Sequence, residues 1–213
     1  RLRHGSQSAT ISAENATVLS LRRGSAALEA LRLASAFFGK GQFTGERLEV
    51  SGGRYILRQT LDGPYFQPFS ADQIAGGVVP KLAPNGTLAA DSRAARQRSN
   101  VQVLDTVVTV EERDGGLVVG VSVEGTADVP TAVELAFRRG GQLDGVEPVP
   151  GVADAFLLRG GTGRYRAGSD TITFGPGRAE HTWTQLRGAL PKWDGLSVYL
   201  TGLTQFRTQL RSG

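Results

Sequence analysis

The chain is predicted to be all-β and mainly antiparallel, a β-sandwich or supersandwich with one long irregular loop and little helix. Three observations predict it. Apolar and polar residues alternate over short runs, which is the strand period. Glycine, 29 of 213 residues, breaks those runs, repeatedly in pairs. Residues 101–124 read as a hairpin, with two valine-rich segments flanking Asp114-Gly115-Gly116.

The elements follow in order. Residues 16–24 alternate enough for a strand that stops at Gly24. Residues 25–38 fit two templates. Their Ala, Leu and Glu content suits a helix. Their alternation puts Leu31, Leu33 and Phe37 on one side and Arg32 on the other, and the hairpins around them favour strand. Residues 46–62 read as a hairpin about Ser51-Gly52-Gly53. In 62–69, Pro64 and Pro68 bracket Tyr65 and Phe66, so an extended, packed loop is expected rather than a strand. Residues 70–100 are the long irregular loop, with a short helix or basic segment near its end. Strands are expected at 131–138, 155–158, 171–174, 196–201 and 205–210. The whole is read as one domain, 1–213.

Composition narrows the chemistry. The chain has no cysteine, which excludes disulfides, thiolate metal sites and a cysteine nucleophile. Its two histidines, His4 and His181, lie far apart, so no zinc motif forms locally. No metal and no cofactor are expected. No apolar run approaches a membrane span, so no membrane partner is expected. Lys40 lacks the P-loop spacing, and Gly160-Gly-Thr-Gly163 lacks the dinucleotide spacing. Net charge is +4, and Arg93, Arg96 and Arg98 cluster, but no nucleic-acid motif accompanies them and no nucleic-acid partner is expected. The chain also lacks methionine and begins at Arg1, so it is expected to be the C-terminal part of a longer protein.

Several phrases carry a resemblance. They are Val18-Leu-Ser-Leu-Arg-Arg-Gly24, Ala36-Phe-Phe-Gly-Lys-Gly-Gln-Phe43, Gly63-Pro-Tyr-Phe-Gln-Pro68, Val133-Glu-Leu-Ala-Phe-Arg-Arg-Gly-Gly141, and Phe174-Gly-Pro-Gly with His181-Thr-Trp-Thr-Gln-Leu-Arg-Gly188. Together they resemble the C-terminal β-sandwich region of exported bacterial heparinase II/III-like polysaccharide lyases. The resemblance implies a periplasmic or secreted location. It implies an N-terminal domain of the parent chain as one partner and an acidic polysaccharide or oligosaccharide as the other. None of the phrases is a catalytic signature.

The richest window for chemistry is 181–193, which holds both tryptophans and His181. Read as a strand, it places His181 and Trp183 on one face, and these two with Glu180 and Arg187 make up the candidate site. Trp183, Trp193 and Tyr65 are candidate stacking residues for a sugar ring, and Arg187 is a candidate for its carboxylate. The plainer reading of Tyr65, Phe66 and Phe69 is that they plug a loop into the sheet. For the histidine it is a polar network beside packed aromatics. Three functions are therefore expected to compete. The first is an accessory carbohydrate-associated module that contributes to acidic glycan binding. The second is a uronate β-elimination centre using His181, Arg187 and Tyr199. The third is a purely structural or protein-interaction module.

Overall fold

The computed structural model describes residues 1–212; the side chain of His4 lies outside the described residues. The chain is all-β, and its described residues form sixteen strands and two five-residue helices. Before the helices run β1 (Leu2–His4), β2 (Gln7–Ile11), β3 (Leu19–Arg23), β4 (Ala26–Ser35), β5 (Arg47–Ser51) and β6 (Arg54–Phe66). Then come α1 (Ala71–Ala75), α2 (Ala90–Ala94), β7 (Arg98–Arg113), β8 (Gly116–Gly125), β9 (Pro130–Phe137), β10 (Gln142–Asp144) and β11 (Glu147–Pro148). The remainder is β12 (Ala155–Leu157), β13 (Gly163–Ala167), β14 (Asp170–Gly175), β15 (Leu196–Leu203) and β16 (Phe206–Ser212).

Two eight-stranded sheets result. The first has the order β1-β2-β3-β4-β9-β15-β12-β11, and the second β10-β13-β14-β16-β8-β7-β6-β5. Pairing is mostly antiparallel, and β12 runs parallel to β15. The chain divides into two compact units, Arg1–Leu61 with Leu104–Gly213, and Asp62–Val103.

The first unit is a sandwich with a shared core. Leu31 and Leu33 of β4, Val133, Leu135 and Phe137 of β9, and Val198 and Leu200 of β15 form one cluster with Val119, Val121 and Val123 of β8 and Tyr165 and Phe174 of the second sheet. The Phe137 ring stacks on Tyr165 at 4.8 Å and tilts against Phe174 at 4.9 Å, which ties the sheets together. The Tyr165 hydroxyl donates to the Arg138 carbonyl at 2.7 Å, so its polar end is satisfied, and burial raises its pKa.

Strand β4 resolves the ambiguity at 25–38. Every residue of β4 except Glu29 is buried, because β4 sits between β3 and β9 with both faces covered. Local helix propensity, a few tenths of a kcal/mol per residue, yields to that burial. The β7–β8 hairpin closes on Asp114 and Gly115, whose φ values of 53° and 73° are those a two-residue primed turn needs. Gly116 belongs to the strand rather than the turn.

The expectation for 62–69 needs correction. Strand β6 runs through Pro64 and Tyr65 to Phe66. Strand β5 covers β6 only along Arg54–Arg58, so beyond Arg58 β6 lacks β5 as a neighbour, and an open strand edge tolerates proline. Nor do the aromatics plug into a sheet: Tyr65 is exposed, and Phe66 and Phe69 are half-buried. Within the Asp62–Val103 unit, α1 starts at a Ser70–Gln73 capping box, and α2 ends at Ala95.

Phe137 is the side chain on which the inter-sheet packing turns. Phe137→Ala is expected to cost about 3–5 kcal/mol in urea unfolding. A loss below about 1 kcal/mol would mean that the three-ring contact does not hold the sheets together.

Candidate functional site

Alternation gives the first sheet a second face. Opposite the core, β4 presents Arg32 and Ala34, β9 presents Ala132 and Glu134, and β15 presents Ser197, Tyr199 and Thr201. Register aligns Arg32 with Glu134 and Glu134 with Tyr199, so three adjacent strands form one polar row. The segment 176–195, which contains no strand, lies over this face as a strap.

The strap is fastened at its far end by Glu134. Its Oε1 accepts from the Trp193 backbone N–H at 3.0 Å, from Ser197 Oγ at 2.7 Å and from the Tyr199 hydroxyl at 3.2 Å. Its Oε2 sits 3.1 Å from Arg32 Nε, an ionic contact without the alignment of a hydrogen bond. Arg32 Nη2 donates to the Pro191 carbonyl at 2.8 Å and the Leu190 carbonyl at 3.3 Å, and the guanidinium lies 5.7 Å from the Trp193 ring centre. Lys192 Nζ closes this end on the carbonyls of Trp193 and Gly195. Burial, with the Glu134 charge beside it, pushes the Tyr199 phenol far above its ordinary range.

The near end is fastened on the end of β15. Ala179 bridges Thr201, and the Thr201 hydroxyl donates to the His181 carbonyl at 2.5 Å. His181 Nε2 lies 3.1 Å from the Gly202 carbonyl, so Nε2 carries the hydrogen; Nδ1 is buried without a partner among the described residues. The Trp183 ring stacks on that fixed imidazole at 5.0 Å and 27°, and it remains 59% exposed. Glu180 accepts from Arg178 and from the Leu203 N–H, and Arg178 holds its carboxyl below the usual range.

The middle of the strap meets a second loop, residues 36–42. Gly188 has φ +88°, and a Cβ there would lie 2.4 Å from the Gly39 carbonyl carbon, so the two backbones touch. The Leu190 N–H donates to Gln42 Oε1 at 2.9 Å, and Gln42 Nε2 donates to the Leu33 carbonyl at 3.0 Å. Leu186 plugs into a small cluster with Ala132, Ala155, Leu157 and Tyr199. What remains under the strap is a cavity of about 20 Å³ lined by Arg32, Gln42, Glu134, Thr184 and Tyr199, among others. That is room for a water molecule and too little for a sugar.

The sequence-predicted residues are thus dispersed. His181 and Trp183 do share a side, through a stacked loop rather than a strand. His181 bonds to Gly202, Tyr199 to Glu134, and the exposed Arg187 lies near Gly39. No hydrogen bond or ring contact among the described residues joins any two of these three. Trp193 is half-buried and engaged internally, and Tyr65 belongs to the Asp62–Val103 unit. Among the described residues, no group of three or more metal-ligating side chains is assembled. No helix among the described residues is long and apolar enough to cross a membrane. Sequence reasoning missed Arg32, Gln42 and Glu134. The available signal was a charge flanked by leucine or valine, in Leu31-Arg-Leu33 and Val133-Glu-Leu135.

Comparison of the chain with protein-family models, with curated proteins and with solved structures gives no match.

Arg32→Met leaves a buried Glu134 charge and is expected to cost about 3–5 kcal/mol in urea unfolding. The R32M/E134Q double variant should lose less than the sum of the two single losses, since no lone charge remains. Additive losses would contradict direct coupling.

Proposed function

We propose that this chain is an accessory, non-catalytic β-sandwich of a larger carbohydrate-processing protein of the heparinase II/III-like kind. It packs on a neighbouring N-terminal domain of the parent chain and contributes to contact with an acidic glycan. This reading implies a periplasmic or secreted setting.

One observation carries the packing role. Across Asp62–Val103, no hydrophobic side chain is buried, while Ile74, Val78, Val79 and Leu82 are all exposed. A stretch this apolar with no core of its own matches a surface used by a partner. The aliphatic residues 74–82 are accompanied by only one charge, Lys81, and charged residues are depleted at the centres of protein interfaces.

The non-catalytic half of the reading rests on commitment of side chains. Uronate β-elimination needs a base at the carbon next to the carboxylate, an acid at the leaving oxygen and a neutraliser on the carboxylate, all converging on one sugar ring. Tyr199 is buried against Glu134, under a strap with space only for water. Of the His181 ring nitrogens, Nε2 is engaged by the Gly202 carbonyl and Nδ1 is buried, and Trp183 stacks on the ring.

Two measurements test the proposal. The purified chain, mixed with acidic polysaccharides, is expected to give no rise in unsaturated-uronate absorbance; a sustained rise would overturn the accessory reading. Ile74→Gln with Leu82→Gln is expected to shift the stability of the isolated chain by no more than about 0.5 kcal/mol per site, as for surface positions. A loss above about 2 kcal/mol would mean that these side chains already serve this chain's own fold.

A further inference from the structure

We infer that the glycan contact lies on the seam where residues 36–42 meet residues 181–190, and that it takes a carboxylate-bearing sugar ring. This rests on the glycan reading above and gives it a place and a chemistry. The sandwich unit exposes few large apolar side chains, and Phe38, Trp183 and Leu190 are among them, all on these two loops. The loops meet backbone to backbone at Gly39 and Gly188, and Gln42 ties Leu190 to β4. Apolar side chains far apart in sequence are thereby carried on one braced surface.

Each part suits a sugar acid. The C–H face of a pyranose packs on an aromatic ring, and the Trp183 indole is already oriented by His181, so little freedom is lost on binding. Arg187 projects from the same seam, exposed and without a carboxylate partner among the described residues. Its fork of donors matches a carboxylate in a way a point charge does not. A neutral sugar would leave that cation unused. The bracing beneath, from Arg32 to the Leu190 and Pro191 carbonyls, keeps the seam from collapsing when a ligand is absent.

The test is a calorimetric titration of the whole chain with tetragalacturonate and with maltotetraose, a neutral tetrasaccharide. The wild type should bind the acidic tetramer with a millimolar Kd and the neutral one at least tenfold more weakly. Trp183→Ala should weaken acidic binding at least tenfold, and Phe38→Ala and Arg187→Gln at least fivefold each. Arg164→Gln, on β13 of the other sheet, should leave it unchanged. All four side chains are exposed, so unfolding midpoints serve as the control for intact structure. No binding of the acidic tetramer by the wild type would overturn the glycan reading itself. Binding that survives F38A and R187Q would leave that reading standing and overturn the seam. Equal affinity for both tetramers would overturn the acidic ligand class.

Discussion

A carboxylate that leaves water must be compensated, and in this chain the compensation of Glu134 organises an entire face. Arg32 supplies the opposite charge from β4, and Ser197 and Tyr199 supply hydroxyl donors from β15. The fourth contact comes from the Trp193 N–H, outside the sheet. The charge-assisted hydrogen bond from the Trp193 N–H adds to this compensation, so the row favours the strap in its seated position. The sheet therefore specifies the path of residues 190–195, and that path brings Leu190 to Gln42 and Gly188 to Gly39. Everything proposed for the outer surface depends on this buried row.

The two compact units answer the problem of hydrophobic burial differently. The sandwich buries aromatics from both sheets and pairs interior polar groups such as Tyr165, on the Arg138 carbonyl, and Ser35, on Thr131. The Asp62–Val103 unit is held by polar contacts instead. Arg96 donates to the Phe66 carbonyl, Arg98 pairs with Asp62, and Ser92 accepts from the Lys81 N–H. Such contacts at an exposed surface add little stability each. A segment built this way keeps its apolar side chains available, which is what an interface requires.

Much of the fold was legible in the sequence because strands write their register as alternation. The β7–β8 hairpin, β9 and β15 were readable from valine and leucine spacing and from paired glycines. Residues 25–38 were ambiguous because Ala, Leu and Glu serve either element; burial on both faces decided for strand. Proline at 64 misled because its penalty applies to interior strands, and edge position is a property of the assembled sheet. The site was less legible. Arg32 and Glu134 stand about a hundred positions apart, and only strand order makes them neighbours. Tyr199, a sequence candidate for β-elimination, is buried in the same row with its hydroxyl on Glu134. Trp183 and His181 were found for a partly mistaken reason, since their stacking comes from the loop fastened to Thr201 and Gly202.

The account turns on whether Glu134 fastens the strap to the sheet. Amide hydrogen exchange in the wild type and in Glu134→Gln tests this directly, because the Trp193 and Leu190 amides belong to the strap and the Val198 amide belongs to the β15–β9 ladder. Loss of protection at Trp193 and Leu190, with Val198 still protected, is the expected result. Unchanged protection at Trp193 and Leu190 would contradict it.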